Sequence, residues 1–181
     1  QITKDYIQLM KKKILVINSI NYIRNTSINK HLRKKYELIE IDYRGNFVLK
    51  NFRLLRILFY KFDLILINWN TWSSFFTIKL INIFKSKPII YDAYTLIYED
   101  YIDSDLNKNF LLNLLYKNIE KIIFFNCNAL LTDTLSHKKK ILHLTKSKTN
   151  ILALNVAQKN FSLSKKINFN TKIQLLHAGA N

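Results

Sequence analysis

The sequence predicts an α/β fold built on an open, doubly wound parallel sheet, and three observations support this. Short apolar runs recur along the 181 residues, several of them continuous, as in strands that helices cover on both faces. Longer segments with helical periodicity separate the runs, and this alternation favours right-handed crossovers within one sheet. The hydrophobic fraction of 49% is sufficient for a globular domain with a substantial core.

Each predicted element follows from its pattern. Strands are predicted at residues 14–18, 37–41, 63–68, 88–92, 129–133, 151–155 and 172–178. Helices are predicted between them, at residues 26–35, 51–61, 72–86, 106–127 and 134–146. The fourth helix is the clearest, because Leu111, Leu115 and Ile122 are among its apolar residues at helical spacing while lysines occupy other positions. The predicted arrangement is Rossmann-like.

The chain is expected to contain one domain and the beginning of another. The domain is predicted over residues 10–161, since "MKKKILVIN" reads like a natural start and residues 1–9 like an upstream extension. The polar stretch "SLSKKINFN" predicts a linker over 162–171, and residues 172–181 read as a strand followed by a glycine turn. We therefore expect the sequence to be part of a longer protein.

The net charge of +17 has more than one explanation. Lysine, asparagine and isoleucine are abundant while glycine and proline are scarce, which is typical of A/T-rich codon usage. Charge also attracts a chain to anionic membranes or to nucleic acid. No zinc-finger, helix-turn-helix or RNP-type pattern is present, so no specific nucleic-acid partner is predicted.

Several kinds of site and segment are excluded by their patterns. The most apolar stretch, residues 110–125, contains Glu120 and two lysines, which a bilayer core accepts only at high cost. "KKKILVIN" is too short for a signal peptide. The lone Cys127 fits a reducing compartment, and no residues show metal-ligand spacing. We therefore predict a cytoplasmic protein without metal or cofactor.

Polar and aromatic residues follow the predicted strands, where open α/β sheets bind their ligands. Amides and carboxylates match hydroxyl groups, and flat aromatic rings stack on sugar faces, so a polyhydroxylated ligand is predicted. No glycine-rich dinucleotide loop or P-loop is present. The candidate site residues are Asn21, Arg24, Trp69, Asn70, Asp92, Tyr94, Glu99, Asp133 and His137.

The cluster "DAYTLIYED" after the fourth strand offers a base and acceptor contacts, each with a simpler alternative. Asp92 ends the strand where a general base would face a cleft, or it binds the amides of its own loop. Tyr94 is a candidate for lining an acceptor site, or it packs the loop. Glu99 is a candidate acceptor contact, or it pairs with nearby lysines.

The other candidates also have structural alternatives. Trp69 is a candidate ligand wall, whereas Asn70 or Thr71 is equally well explained as a helix N-cap. Thr132, Asp133 or Thr134 would cap the helix that follows, which explains this segment without a ligand. His137 lies in the first turn of that helix, within reach of the cleft.

A basic amphipathic segment, "KNFRLLRILFYKF" (50–62), suggests a further partner. Such a helix lies on an anionic membrane surface, or it is an ordinary surface helix against the sheet. The first alternative would place the protein peripherally on the inner face of the cell membrane.

The ordered strand ends resemble the N-terminal domain of GT-B-fold glycosyltransferases of the family-4 type. The resemblance rests on "PIIYDAYTLIYEDYIDSD", a long helix, and "NALLTDTLSHKKKIL", and it extends from about residue 12 to 181. In that pattern a strand ends in Asp92-Ala93, an Ile-Tyr-acidic cluster follows, and a later strand ends in Thr-Asp-Thr before a helix with His137.

The resemblance implies that this domain holds the acceptor, a glycan or lipid-linked glycan, while a following domain binds the nucleotide-sugar donor. It also implies transfer without a tightly bound metal, with Asp92 as the candidate base. The chain departs from the family in its first loop, "NSINYIRNTS", where many relatives have glycines. Donor contact from that loop is therefore in doubt, although Arg24 is a candidate substitute. The alternative function is a non-catalytic basic α/β module that binds nucleic acid or a membrane surface.

Overall fold

The computed structural model describes residues 12–19, 23–103, 109–145 and 150–153. The strands of these parts are β1 (Lys13–Asn18), β2 (Glu37–Asp42), β3 (Leu64–Ile67), β4 (Ile89–Asp92), β5 (Ala129–Thr132) and β6 (Asn150–Ala153). The α-helices are α1 (Ile23–Arg33), α2 (Phe47–Leu54), α3 (Phe75–Lys85), α4 (Ile97–Asp103), α5 (Phe110–Asn126) and α6 (Leu135–Thr145). The strands form a six-stranded sheet in the order β2-β1-β3-β4-β5-β6. The predicted α/β class, with a Rossmann-like open parallel sheet, is confirmed.

The chain divides into two compact units, of which unit 1 is residues 1–89. Strand β1 lies between β2 and β3 and pairs in parallel with both, with Ile14 opposite Leu38 and Leu64. The chain therefore adds β2 on one side of β1 and then β3 on the other, which is the reversal of a doubly wound sheet. Every residue of β3 is buried, as its continuous apolar sequence predicts.

Unit 2 is residues 90–181, and its described part contains β4, β5 and β6 in parallel pairs. Residues Ile90 to Asp92 lie opposite Ala129 to Leu131. The fully buried Tyr91 packs against Phe124 of α5, with their ring centroids 6.4 Å apart. This contact joins the sheet of unit 2 to its longest described helix.

Two helical predictions differ from the structure in form. The helix predicted at 51–61 begins earlier, at Phe47, and becomes a 3₁₀ helix over Leu55–Phe59. Asn46 caps its start, because the side-chain oxygen accepts the backbone N–H of Leu49 at 2.8 Å. The helix predicted at 72–86 begins at Phe75, after a 3₁₀ helix over Trp69–Ser74.

The long helix α5 is confirmed, but its apolar residues do not face the core as amphipathic spacing suggests. Leu111, Leu115 and Ile122 are exposed, whereas Glu120 and Ile123 are buried. The helical periodicity therefore indicated the helix correctly, although Ile123 is the one of these regularly spaced apolar residues that is buried. Among the described residues, no helix has the length and apolar character needed to cross a membrane.

Some predictions concern residues outside the described ranges. These are the extension at 1–9, the start at Met10, the candidate site residue Asn21, the linker at 162–171 and the last strand at 172–178.

Candidate functional site

The site residues predicted in unit 1 follow β1 and β3. They lie beside the topological switch point, where the chain passes from one side of β1 to the other. Arg24 is buried on α1, and Trp69 and Asn70 are partly buried in the 3₁₀ helix that follows β3. The side-chain amide of Asn70 has no hydrogen-bond partner among the described residues. The alternative of Asn70 as a helix N-cap is therefore not realised in the structure.

Asparagine side chains also join the ends of β1 and β3. The amide nitrogen of the fully buried Asn68 donates to the side-chain oxygen of Asn18, and its backbone N–H donates to the carbonyl of Ile17 at 3.2 Å. The hydroxyl of Thr71 donates to the carbonyl of Asn68 at 2.7 Å. These hydrogen bonds show that the polar residues at the ends of β1 and β3 stabilise the turn that follows β3.

In unit 2, three predicted site residues come together beyond the adjacent strands β4 and β5. The Nδ1 of His137 lies 2.8 Å from Oδ1 of Asp133, and its Nε2 lies 3.8 Å from Oε2 of Glu99. The Nζ of Lys140 lies 2.5 Å from Oε1 of Glu99. Together, Glu99, Asp133, His137 and Lys140 form the histidine cluster.

Local structure explains how these side chains reach one another. Thr134 is the N-cap of α6, because its hydroxyl accepts the backbone N–H of His137 at 3.1 Å. His137 and Lys140 are three residues apart and therefore share one face of α6. Glu99 lies in the first turn of α4, which begins five residues after β4 ends. The capping role proposed for this segment is real, and it belongs to Thr134.

The histidine cluster is polar, partly exposed and suited to proton transfer. The side chain of His137 is 23% exposed, and that of Asp133 is 26% exposed. With Nδ1–H donating to Asp133, Nε2 is the nitrogen that accepts a proton. Two carboxylates, Asp133 and Glu99, lie near the imidazole, and an imidazole held in place by a carboxylate is an arrangement that general bases use.

The remaining candidates after β4 lie differently. Asp92 ends β4 with 0% of its surface exposed, and Tyr94 is partly buried. Burial raises the pKa of the neighbouring Tyr91 well above its ordinary value of 10, and the charge of Asp92 raises it further. The hydroxyl of Thr95 donates to the carboxylate of Asp100 at 2.5 Å. Some polar side chains of this segment therefore bond each other and not a ligand.

The structure adds Glu120 of α5, which the sequence-based argument treated only as an interruption of an apolar stretch. Glu120 is only 2% exposed. Burial raises the pKa of Glu120 to about 7, although hydrogen bonds from the backbone N–H groups of Tyr98 and Ile97 oppose this rise. Its Oε1 has no hydrogen-bond partner among the described residues.

A signal for Glu120 was present in the sequence. Glu120, Ile123 and Phe124 are spaced as i, i+3 and i+4, so the carboxylate shares a helix face with two core residues. A carboxylate on such a face is rare without a partner or a role.

Glu120 and Glu99 line a cavity of about 450 Å³ between α4, α5 and α6. Lysines from two helices also line it, and Leu96 and Leu144 contribute apolar wall. Because Glu99 and Lys140 also belong to the histidine cluster, the cluster and the cavity form one continuous candidate site. In the described parts of the chain, no group of three or more His, Cys, Asp or Glu side chains could hold a metal ion.

The chain was compared with protein-family models and with curated proteins, and neither comparison finds a match. The geometry of the site and the motifs of the sequence therefore indicate its function.

Proposed function

We propose that this chain is the acceptor-binding part of a glycosyltransferase that transfers a sugar from a nucleotide-sugar donor to a hydroxyl of a glycan or lipid-linked acceptor. The histidine cluster is the observation that carries the proposal. It joins a base with two carboxylates beyond β4 and β5, where open parallel sheets bind ligands. The resemblance of the same segments to family-4 glycosyltransferases supports it.

In the proposed reaction, the acceptor oxygen attacks the anomeric carbon of the donor, and the bond from that carbon to the nucleoside diphosphate breaks. The hydroxyl proton passes to a base of the protein. His137 is placed for this step because Asp133 orients its Nδ1 and leaves Nε2 on the side of Glu99. The nucleoside diphosphate leaves with the electron pair of the broken bond.

The sequence-based assignment of the base to Asp92 stays a prediction, and it competes with His137. The side chain of Asp92 has no exposed surface, so a hydroxyl reaches it only after a conformational change. His137 reaches solvent without such a movement. We therefore place the base at His137 and retain Asp92→Asn as the competing test.

The test measures release of nucleoside diphosphate by the full-length protein from a panel of nucleotide sugars, with glycan and lipid-linked acceptors. We expect His137→Ala to lower kcat by about 10²- to 10⁴-fold with unchanged circular dichroism. His31→Ala is the matched control, because His31 lies on α1 in unit 1 and its Nδ1 bonds the Ser27 carbonyl at 2.8 Å.

Each result decides a different part of the proposal. Loss of turnover in Asp92→Asn but not in His137→Ala would return the base to Asp92. The absence of release from every donor, together with strongly salt-dependent DNA binding, would favour the non-catalytic basic module instead.

We also propose that unit 1 docks on an anionic membrane surface through α2 and the 3₁₀ helix after it, which would place the protein peripherally on the cytoplasmic face. Val48, Phe52, Leu55 and Phe59 are exposed and follow one another at intervals of four, three and four residues. We call these four residues the apolar stripe. A helical surface with this spacing presents its apolar residues on one side.

The charge around the apolar stripe matches an anionic surface. Residues 43–62 include five basic side chains and no acidic one. Arg56 and Lys61 are exposed and form no ion pair among the described residues. Apolar side chains that enter the headgroup region, together with unpaired cations, are the features by which interfacial helices bind.

Vesicle co-sedimentation tests this docking. Phe52 is 69% exposed on the apolar stripe, and Phe110 is 74% exposed on α5, so the two form a matched pair. We expect the chain to bind phosphatidylglycerol vesicles at low salt and not phosphatidylcholine vesicles. Phe52→Ser should weaken binding by about tenfold, and Phe110→Ser should not. Equal effects of the two changes would refute docking through the apolar stripe.

A further inference from the structure

The charges that line the cavity of unit 2 do not balance one another. The carboxylate of Glu99 already lies 2.5 Å from Lys140. Lys117 and Lys139 also line the cavity, and neither has an ion-pair partner among the described residues. Lys117 lies 5.8 Å from the ring centroid of Tyr98, which orients the ammonium group without neutralising it. The cavity therefore presents two uncompensated ammonium groups from different helices.

The same cavity also contains a carboxylate, that of Glu120, which requires a hydrogen-bond donor. Its Oε1 is buried and unpartnered in the described structure, although the residue lines the cavity. A buried polar oxygen without a partner is unfavourable, and a ligand hydroxyl would satisfy it once the Glu120 side chain turns this oxygen toward the cavity that it lines. The carboxylate accepts the hydroxyl hydrogen when ionised and donates to the hydroxyl oxygen when protonated.

The size of the cavity limits the ligand to a small molecule or to one residue of a larger one. Its volume of about 450 Å³ is within the range of small-molecule sites. Leu96 and Leu144 provide apolar wall against which the carbon skeleton of a polyol can pack. One end of the ligand must offer a hydroxyl to the carboxylate of Glu120. The other end must carry negative charge to pair with the ammonium groups of Lys117 and Lys139.

From these features we infer that the cavity binds a phosphate-bearing polyol or sugar, with a hydroxyl on Glu120 and the phosphate on Lys117 and Lys139. A lysine ammonium binds phosphate as a point charge with three donors, and two such groups suit a dianion. The further statement that this ligand is the acceptor of the transfer depends on the proposed glycosyltransferase function. The binding itself does not depend on it.

Isothermal titration calorimetry with three soluble probes tests the inference on the full chain. Glycerol 3-phosphate has both the hydroxyl and the phosphate, inorganic phosphate lacks the polyol, and glycerol lacks the phosphate. We expect glycerol 3-phosphate to bind about tenfold more tightly than inorganic phosphate, and glycerol not to bind. Dihexanoyl phosphatidylglycerol below its micelle concentration distinguishes a lipid headgroup from a free phosphate.

Matched variants locate the two ends of the ligand. Lys139→Ala should weaken glycerol 3-phosphate and inorganic phosphate alike by about tenfold. Lys138→Ala is the control, because Lys138 neighbours it on α6 but does not line the cavity. Glu120→Leu should reduce the affinity for glycerol 3-phosphate to that for inorganic phosphate. Glu120→Gln keeps an acceptor oxygen and should restore the preference.

Each outcome of these titrations supports or overturns the inference. It is overturned if glycerol 3-phosphate does not bind, if it binds no better than inorganic phosphate, or if Lys138→Ala and Lys139→Ala act equally. Binding that follows the expected pattern in a protein that releases no nucleoside diphosphate would support the cavity and contradict the glycosyltransferase. Sugar transfer that is insensitive to Lys139→Ala would support the glycosyltransferase and contradict the statement that this cavity holds its acceptor.

Discussion

Replacing Glu120 with glutamine should remove a pH-dependent loss of stability from unit 2. Burial raises the pKa of this carboxyl from 4.5 in the ordinary state to about 7, and the charges of Glu99 and Asp100 add to the rise. The native protein therefore binds a proton at Glu120 at pH values where the unfolded chain has released it. The other charged and titratable side chains that line the cavity are Tyr98, Lys117, Lys139, Lys140 and His143.

The sign and size of the effect follow from linkage. Where the native state binds more protons than the unfolded state, the free energy of unfolding falls as pH rises. The contribution of Glu120 is present in full below its unfolded pKa of 4.5 and is lost as pH rises through about 7. At about 1.4 kcal/mol for each pH unit, the rise of the pKa corresponds to about 3 kcal/mol.

Urea unfolding of the wild type and Glu120→Gln, from pH 4 to pH 8, measures this contribution. Far-UV circular dichroism is the suitable signal, because both tryptophans, Trp69 and Trp72, lie in unit 1. The wild-type free energy of unfolding, minus that of the variant, should fall by about 3 kcal/mol over this range. Titrating groups that the two proteins share cancel in the difference.

The prediction is refuted if the difference in free energy of unfolding between wild type and Glu120→Gln changes by less than about 0.5 kcal/mol from pH 4 to pH 8. Substitutions at exposed positions usually have effects of that size. It would mean that Glu120 ionises as it does in the unfolded chain, with its carboxylate open to water. The cavity would then lack the buried oxygen that the inferred hydroxyl contact requires. A difference that rises with pH would mean that the carboxylate is stabilised in its charged form.

Two further predictions concern the helices around this site. Thr134→Ala should lower the free energy of unfolding by about 1 kcal/mol, because it removes the acceptor for the His137 N–H; Thr95→Ala, in an exposed hydrogen bond, is the comparison, and equal losses would contradict the capping role. On α5, Ile123→Ala should cost about 2 to 5 kcal/mol in urea unfolding, while Leu111→Ser should change stability by less than about 0.5 kcal/mol. A large loss in Leu111→Ser would show that the exposed face of α5 is covered.

The strands could be predicted from the sequence because a parallel sheet covered on both faces requires continuous apolar runs. In β3, the residues Leu64–Ile67 are all buried, and a run this short is too brief for a buried helix. Helix α4 was not predicted, since the seven residues "IYEDYID" are too few to show a helical period. Its place in the fold depends on the helices and strands that it contacts.

The site could be predicted only in part, for a related reason. Strand ends are visible in the sequence, so Glu99, Asp133 and His137 could be named before their distances were known. The burial of Glu120 was not visible, because it depends on α4 lying over the middle of α5. A helix that short specifies its position only through tertiary contacts, and those contacts bring the N–H groups of Ile97 and Tyr98 to the carboxylate.

The two units use polar residues at their strand ends in different ways, and this difference bears on where the chemistry lies. In unit 1, Asn18 and Asn68 bond each other across β1 and β3, and the hydroxyl of Thr71 returns to the backbone of the same turn. The hydrogen-bonding capacity of those side chains is therefore largely used to hold the ends of β1 and β3 and the turn after β3 together. In unit 2, His137 and Glu99 face each other at 3.8 Å, longer than a hydrogen bond, with partly exposed side chains. A ligand hydroxyl beside these two groups can bond both of them, because they lie near each other without a direct bond. Under the proposed function, the reactive part of the site is therefore best sought after β4 and β5.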